Sequence, residues 1–205
     1  KKLLNLELFL WTLRAAKLSQ KIDRIIFSTD SKKYIEICNK DNKLKNYICE
    51  IDFRNEQEAG DKTKIFDYLR SEEFIRRNKI SNQDRLILLL PTCPLRPNGL
   101  IDNVIEYADE NRSSIFSCCE YDFHINFAFS ITNKKPFKFN PVFGDKSPMC
   151  TGNTRSQDQK KFFRPNGSIF INKVSELINP KSKSIYFKSL SAWIYSKTLY
   201  LFITN

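Results

Sequence analysis

Apolar positions follow two rhythms along the first 120 residues. Leu8, Trp11, Ala15 and Leu18 recur at helical spacing and predict an amphipathic helix over residues 6–19. Residues 24–28 follow as a buried strand. Ser31 is then placed to cap a helix carrying Tyr34, Ile35 and Cys38. Residues 47–53 read as another strand, and Asp61 as the cap of a helix through Ile65, Phe66 and Leu69. The run Leu86-Ile87-Leu88-Leu89-Leu90 is too short for a helix and has the length of a fully buried strand. Asn98 is placed to cap a helix with Leu100, Ile101, Val104, Ile105 and Ala108 on one face, and residues 113–119 form a further strand. At least three strand–helix alternations predict an α/β fold: a mostly parallel sheet with helices on both faces and right-handed crossovers.

The rhythm changes after Cys119. Residues 123–143 are aromatic and β-prone, with Phe123, Phe127, Phe129, Phe137, Phe139 and Phe143, and Asn133-Lys134-Lys135-Pro136 predicts a hairpin turn. Apolar side chains on both faces of a hairpin want either their own sheet or a partner surface. Residues 144–161 are polar and irregular, a long loop by ordinary standards and so a functional or mobile one. A second short β-prone run, Ser168 to Ile171, follows the turn signal Asn166-Gly167.

The chain has 205 residues, enough for one domain with a small appendage, and 41% hydrophobic content supports a real core. The net charge of +11 raises the question of nucleic acid. The lysines are spread along the chain rather than gathered in one stripe, which favours a solvated surface, and a basic nucleotide cleft needs only a few of them. No apolar run approaches the 18 or so residues that a membrane span requires. Asn5 and Glu7 interrupt the stretch a signal peptide would use. The expectation is a cytoplasmic protein without nucleic-acid or membrane partners. Cysteines at 38, 49, 93, 118, 119 and 150 show no C-x-x-C pair beside the single His124, so zinc spacings are absent and free thiols in a reducing compartment are expected. Cys93 alone lies in a candidate ligand loop, but nothing ties a base to it.

That loop is the chemical centre of the sequence. Leu86 to Pro97 reads L-I-L-L-L-P-T-C-P-L-R-P, a strand opening into a rigid cationic corner, the place where open α/β sheets bind ligands. Thr92 supplies a hydroxyl and Arg96 a permanent charge, both suited to phosphate or carboxylate. With Phe162 to Asn172, F-F-R-P-N-G-S-I-F-I-N, it resembles the acylneuraminate (CMP-sialic acid) cytidylyltransferase family, which carries L-L-Q-P-T-S-P-L-R and F-R-P-N-G-A-I-Y-I. Phe27-Ser28-Thr29-Asp30 is similar to that family's V-S-T-D, Arg54 to its L-R-P, Glu58-Ala59-Gly60-Asp61 to its E-L-A-x-D, and Thr154-Arg155-Ser156-Gln157-Asp158 to its R-R-Q-D. The blocks stand in family order.

The resemblance implies a Rossmann-like sheet with a protruding β-hairpin arm. Residues 1–120 and 162–205 would form the nucleotidyltransferase domain, and 121–161 a dimerisation arm giving a homodimer. It implies an enzyme that joins CTP to a nonulosonic (sialic-type) acid, releasing pyrophosphate. Arg54, Asp61, Thr92 and Arg96 would bind nucleotide; Arg155, Gln157, Arg164, Asn166 and Phe170 would bind the sugar acid. From the residues alone, Arg54 can equally be a surface arginine, Asp61 a helix cap and Asp30 part of a strand-to-helix turn. Mg²⁺ is implied as cofactor, yet its usual ligands are missing. The family's glycine-rich phosphate loop lies before the position of Lys1, its motif glutamine is Leu90 here, and its two metal-binding aspartates align with Phe202 and Thr204. Weak or absent transfer by these 205 residues is therefore expected. The acceptor could be sialic, legionaminic or pseudaminic acid; a 3-deoxy-manno-octulosonate enzyme fits less well without a Gln-Gly-Asp-x-Pro motif. The alternative reading is a non-catalytic homologue that kept nucleotide or sugar-acid binding.

Overall fold

The computed structural model describes residues 1–44, 49–111 and 114–179, and the backbone of 190–194. These divide into two compact units, one of residues 1–117 and 167–205, the other of residues 118–166.

The first unit opens with a tight antiparallel pair, β1 (Lys2–Leu3) and β2 (Leu6–Glu7). Helix α1 (Leu8–Leu18) buries Leu10, Leu13 and Ala16 rather than the Leu8–Trp11–Ala15–Leu18 stripe, and Leu18 is exposed. Residues 8–16 are apolar at almost every position, so two helical stripes compete, and the one facing Ile25 and Cys38 is buried. Strand β3 (Ile25–Thr29), helix α2 (Lys32–Lys40) and strand β4 (Cys49–Phe53) form the predicted strand–helix–strand unit. The two strands are parallel, Ile25 opposite Cys49 and Thr29 opposite Phe53, and the Ser31 side chain caps α2 by accepting from Tyr34 N–H.

Three short helices follow: α3 (Glu56–Ala59), α4 (Ile65–Leu69) and α5 (Glu72–Arg77). Asp61 caps none of them. Asn55 closes a capping box with Glu58 on α3, Lys64 stands at the start of α4, and Ser71 caps α5. Helix α6 (Leu100–Glu110) buries the predicted face, but Gly99 in the left-handed region, not Asn98, starts it.

The apolar run at 86–90 departs from expectation. Strand β5 covers Arg85–Leu88, is only half-buried, and pairs antiparallel with β9 (Phe163–Lys173), Leu88 opposite Phe170. Leu89 and Leu90 leave the ladder because the Leu90 carbonyl turns to accept from Cys93 N–H and from Arg96. The Asn166-Gly167 turn is likewise a bend inside a long strand, at Gly167 with φ +75°. Strand β6 (Ser114–Glu120) lies between β9 and β10 (Leu190–Ile194), in the order β10-β6-β9-β5. The fold is mixed α/β, with one parallel pair and a separate four-stranded sheet among the described residues. The core gathers α6 against Ile115, Ile169 and Ile171, with Tyr68, Leu69 and Phe74 packed on Leu177 of α8 (Val174–Leu177).

The second unit holds the predicted hairpin, β7 (Phe129–Ile131) antiparallel to β8 (Phe139–Pro141). Phe129, Ile131, Phe137 and Phe139 are all exposed. The loop expected at 144–161 is broken by helix α7 (Pro148–Thr151) and two single 3-10 turns.

Candidate functional site

The corner after β5 is built around Arg96. Proline at 91, 94 and 97 stiffens the chain, and Arg96 lies between the last two, 8% exposed. Its Nε and Nη2 donate to the Ser168 carbonyl at 3.1 and 2.8 Å, Nη2 also to the Leu90 carbonyl at 2.9 Å, and Nη1 to the Thr12 hydroxyl at 2.9 Å. One guanidinium thus ties the proline corner to α1 and to β9. Burial lowers its pKa to about 10, and no carboxylate pairs with it among the described residues. A guanidinium stays charged in any case.

The second motif meets the first here. A Cβ at Gly167 would lie 3.3 Å from Leu90 Cδ1 and 4.0 Å from Cys93 Sγ, so glycine permits both the positive φ and this close approach. Thr92 is exposed at the tip of the corner, and Cys93 is half-buried. Phe170, further along β9 and opposite Leu88, packs edge-on against Phe66 with ring centroids 5.6 Å apart.

A second constellation lies at the end of the parallel pair. Arg54 follows β4, its amide donating to the Thr29 carbonyl at 3.0 Å. Its guanidinium sits 5.8 Å over the Tyr68 ring, within cation–π range, with a buried Nε that has no hydrogen-bond acceptor among the described residues. Tyr68 is held in turn by Asp52, which is 1% exposed and which the sequence reading missed. Asp52 accepts from Ser28 Oγ at 2.6 Å, Arg77 Nε at 2.8 Å, Asn78 Nδ2 at 3.2 Å and the Tyr68 hydroxyl. Arg77 also donates to Glu58 at 3.0 Å and to the Tyr68 oxygen at 2.8 Å. Burial alone would raise the Asp52 carboxyl, but its donors hold it below the ordinary carboxylate range. Burial and then Asp52 push Tyr68 up to about 12, so its phenol stays neutral. The only local signal was an aspartate alternating with apolar residues in a short strand; its partners come from α4 and α5. Asp61 is exposed in the loop before α4 and is not one of the partners of Asp52.

In the second unit Arg155 and Gln157 come together. Arg155 is 70% exposed, 3.6 Å from Asp158, and with the Gln157 amide oxygen turned toward it donates at 3.0 and 2.7 Å. Arg164 is exposed and Asn166 half-buried, two residues apart on β9. No group of three or more His, Cys, Asp or Glu converges to hold a metal among the described residues, and Asp52 already accepts at both oxygens. The described residues do not fit Mg²⁺. Phe202 and Thr204, aligned with the family's metal-binding aspartates, lie outside the described residues.

No protein-family model matches the chain. Among curated proteins it is similar to the N-acylneuraminate cytidylyltransferases of three Streptococcus agalactiae strains, serotype III (NEM316), serotype Ia (A909) and serotype V (2603 V/R). Each is 28% identical over 174 residues, which is 83% of this chain. The family resemblance read from the motifs is supported by these relatives. The chain spans 38% of the length of each. No helix among the described residues is long and apolar enough to cross a membrane.

Proposed function

We propose that this chain is the nucleotide- and sugar-acid-binding part of a cytidylyltransferase that joins CTP to a nonulosonic acid, forming the CMP-sugar and pyrophosphate. The observation that carries the reading is the Arg96 clamp, which fastens the Pro-Thr-Cys-Pro corner to the Gly167-Ser168 backbone, so that the two most informative motifs make one rigid piece. In this reading Arg96 positions the corner, and its unbalanced charge favours an anion at the exposed Thr92. Arg54 offers phosphate a guanidinium already oriented by Tyr68. Arg155, Gln157, Arg164, Asn166 and Phe170 take the sugar acid, a bidentate arginine matching its carboxylate. Asp61 serves at the nucleotide edge. The sugar hydroxyl would displace pyrophosphate from the α-phosphate, a step that demands alignment and charge stabilisation. The parallel pair and the four-stranded sheet are read as parts of one doubly wound, Rossmann-like sheet, with residues 121–161 an arm. The exposed aromatic hairpin of that arm is read as the surface a second copy covers.

A second reading, a binder without transfer, is favoured by phenylalanine and threonine at 202 and 204, neither of which replaces a carboxylate. A thermal-shift panel of CTP, CMP, UTP, ATP and N-acetylneuraminate, followed by pyrophosphate release with Mg²⁺, tests both. The proposal expects stabilisation by cytidine nucleotides over the others. Stabilisation by nucleotide or by N-acetylneuraminate without pyrophosphate supports the binder; no preference among nucleotides together with no stabilisation by N-acetylneuraminate overturns both.

A further inference from the structure

Arg-Pro-Asn-Gly occurs twice in the chain, at residues 96–99 and 164–167, and these copies hold its only Asn-Gly pairs. Glycine after asparagine favours loss of the side-chain amide, because no Cβ hinders the glycine nitrogen from reaching the preceding side chain. The fold treats the two copies differently. Residues 97–100 make a tight turn, closed by Leu100 N–H donating to the Pro97 carbonyl at 3.2 Å. Gly99, at φ 78° and ψ −11°, takes the third position of a type II turn. Such a turn uses the N–H of its fourth residue. Among the described residues no hydrogen bond engages the Gly99 N–H or the Asn98 side chain. Asn98 and Gly99 are exposed, and a Cβ at Gly99 would meet nothing within 4 Å.

The second copy runs into β9, which lies between β6 and β5. Asn166 is half-buried, and a Cβ at Gly167 would lie 3.3 Å from Leu90. Ring closure rotates the asparagine backbone. At Asn98 a single turn bond resists that rotation; at Asn166 a packed strand does. We propose that Asn98 is a site of spontaneous deamidation, a slow and irreversible change in the charge of the proline corner, from which the fold protects Asn166.

The Gly99 nitrogen, losing its proton to solvent base, attacks Asn98 Cγ. The N–C bond forms, the Cγ–Nδ2 bond breaks, and ammonia leaves with a proton from water. Water then opens the cyclic succinimide at one carbonyl to give aspartate, or at the other to give isoaspartate. Nothing is oxidised or reduced. Either product puts a carboxylate on the cleft that Asn98 lines together with Arg96 and Asp102. The unpaired amides at the start of α6 favour an anion there. The standing positive charge of the corner therefore falls. Isoaspartate also inserts a methylene into the main chain and breaks the Pro97–Leu100 turn. Neither the turn nor its exposure depends on what the corner binds.

The test incubates the 205-residue chain in mildly alkaline buffer, folded and in urea side by side. Trypsin leaves Arg-Pro bonds intact, so peptides 86–112 and 162–173 report the two copies. Mass spectrometry reads the conversion of amide to acid and locates it by fragmentation, and an isoaspartyl methyltransferase counts isoaspartate. In urea the two copies should react at similar rates. In the folded chain Asn98 should react at least about tenfold faster than Asn166, a ratio that needs only about 1.4 kcal/mol of extra opening free energy in the strand. Equal rates in the folded chain, or a faster Asn166, would overturn the proposal. So would an Asn98 that folding slows as much as it slows Asn166.

Discussion

Two arginines organise the first unit, half-buried Arg77 and buried Arg96, and the fold treats their charges in opposite ways. Arg77 is enclosed by carboxylates: Asp52 and Glu58 both accept from it, and although burial pulls its pKa down, those anions carry it above its ordinary value. Arg96 gives its hydrogen bonds to two carbonyls and a hydroxyl, and burial leaves its pKa lowered. The first charge is cancelled within the fold. The second is held in place and left for something else to balance. The same side chain therefore builds stability at one corner and a standing positive potential at the other.

Removing the anion from the first corner gives the largest expected effect. Asp52→Ala leaves Arg77, Ser28, Tyr68 and Asn78 without their shared acceptor, at a cost of about 4 kcal/mol, as for breaking one side of a buried ion pair. Chemical denaturation monitored by tryptophan fluorescence reads it. A loss under about 1 kcal/mol would mean that the network is replaced by water, and that the contrast with Arg96 is not one of charge balance.

Arg96→Met is the matching change at the second corner, with an expected loss of about 3 kcal/mol because charged-donor hydrogen bonds to buried carbonyls disappear. Arg96→Lys keeps the charge but cannot reach Ser168, Leu90 and Thr12 together. If the standing charge draws the nucleotide, the lysine variant retains more of the CTP thermal shift than the methionine variant, although both lose stability. Equal loss of the shift in both would reduce Arg96 to a clamp.

How much of this was legible beforehand depended on range. The β3–α2–β4 unit, the buried face of α6 and the hairpin at Asn133–Pro136 are encoded within a few residues each, by period, cap and turn chemistry, and they form as read. Arg96 was chosen as a site residue for its charge, but two of its three partners, Ser168 and Thr12, lie 72 and 84 residues away, and no local pattern distinguishes a clamp from a ligand contact. Asp52 was missed for the same reason, since its donors come from β3, α4 and α5 and its neighbour Asn78. Gly167 carried a turn signal because glycine after asparagine usually marks one; its left-handed φ instead bends a strand so that Leu90 can approach. The mostly parallel sheet was inferred from alternation, which fixes element order but not which strand pairs with which; β5 found β9 running the other way.

Gly167→Ala tests that approach at about 2 kcal/mol, combining positive φ with a Cβ at 3.3 Å from Leu90. Pairing it with Leu90→Ala separates the two contributions. The smaller residue should recover the steric part and leave the backbone part, read as a non-additive double-mutant cycle. Strict additivity would mean that the two motifs do not touch in solution.

The smallest expected effect is the most specific to the first corner. Tyr68→Phe removes one hydrogen bond to Asp52 and one from Arg77, about 1 kcal/mol at neutral pH. Its pH signature carries more information. The Asp52 pKa is depressed on folding, so its contribution is present above the unfolded carboxyl value of about 3.9 and lost as pH falls through the lower folded value. The Tyr68 pKa is raised, so its contribution is present below the unfolded value of about 10 and lost as pH climbs toward about 12. Denaturation midpoints across pH should therefore show both limbs in the parent chain. In Tyr68→Phe the acid limb stays and the alkaline fall between about pH 10 and 12 flattens. An unchanged alkaline limb would assign that titration to another phenol or to lysines, and would take Tyr68 out of the structure that holds the Arg54 guanidinium in place.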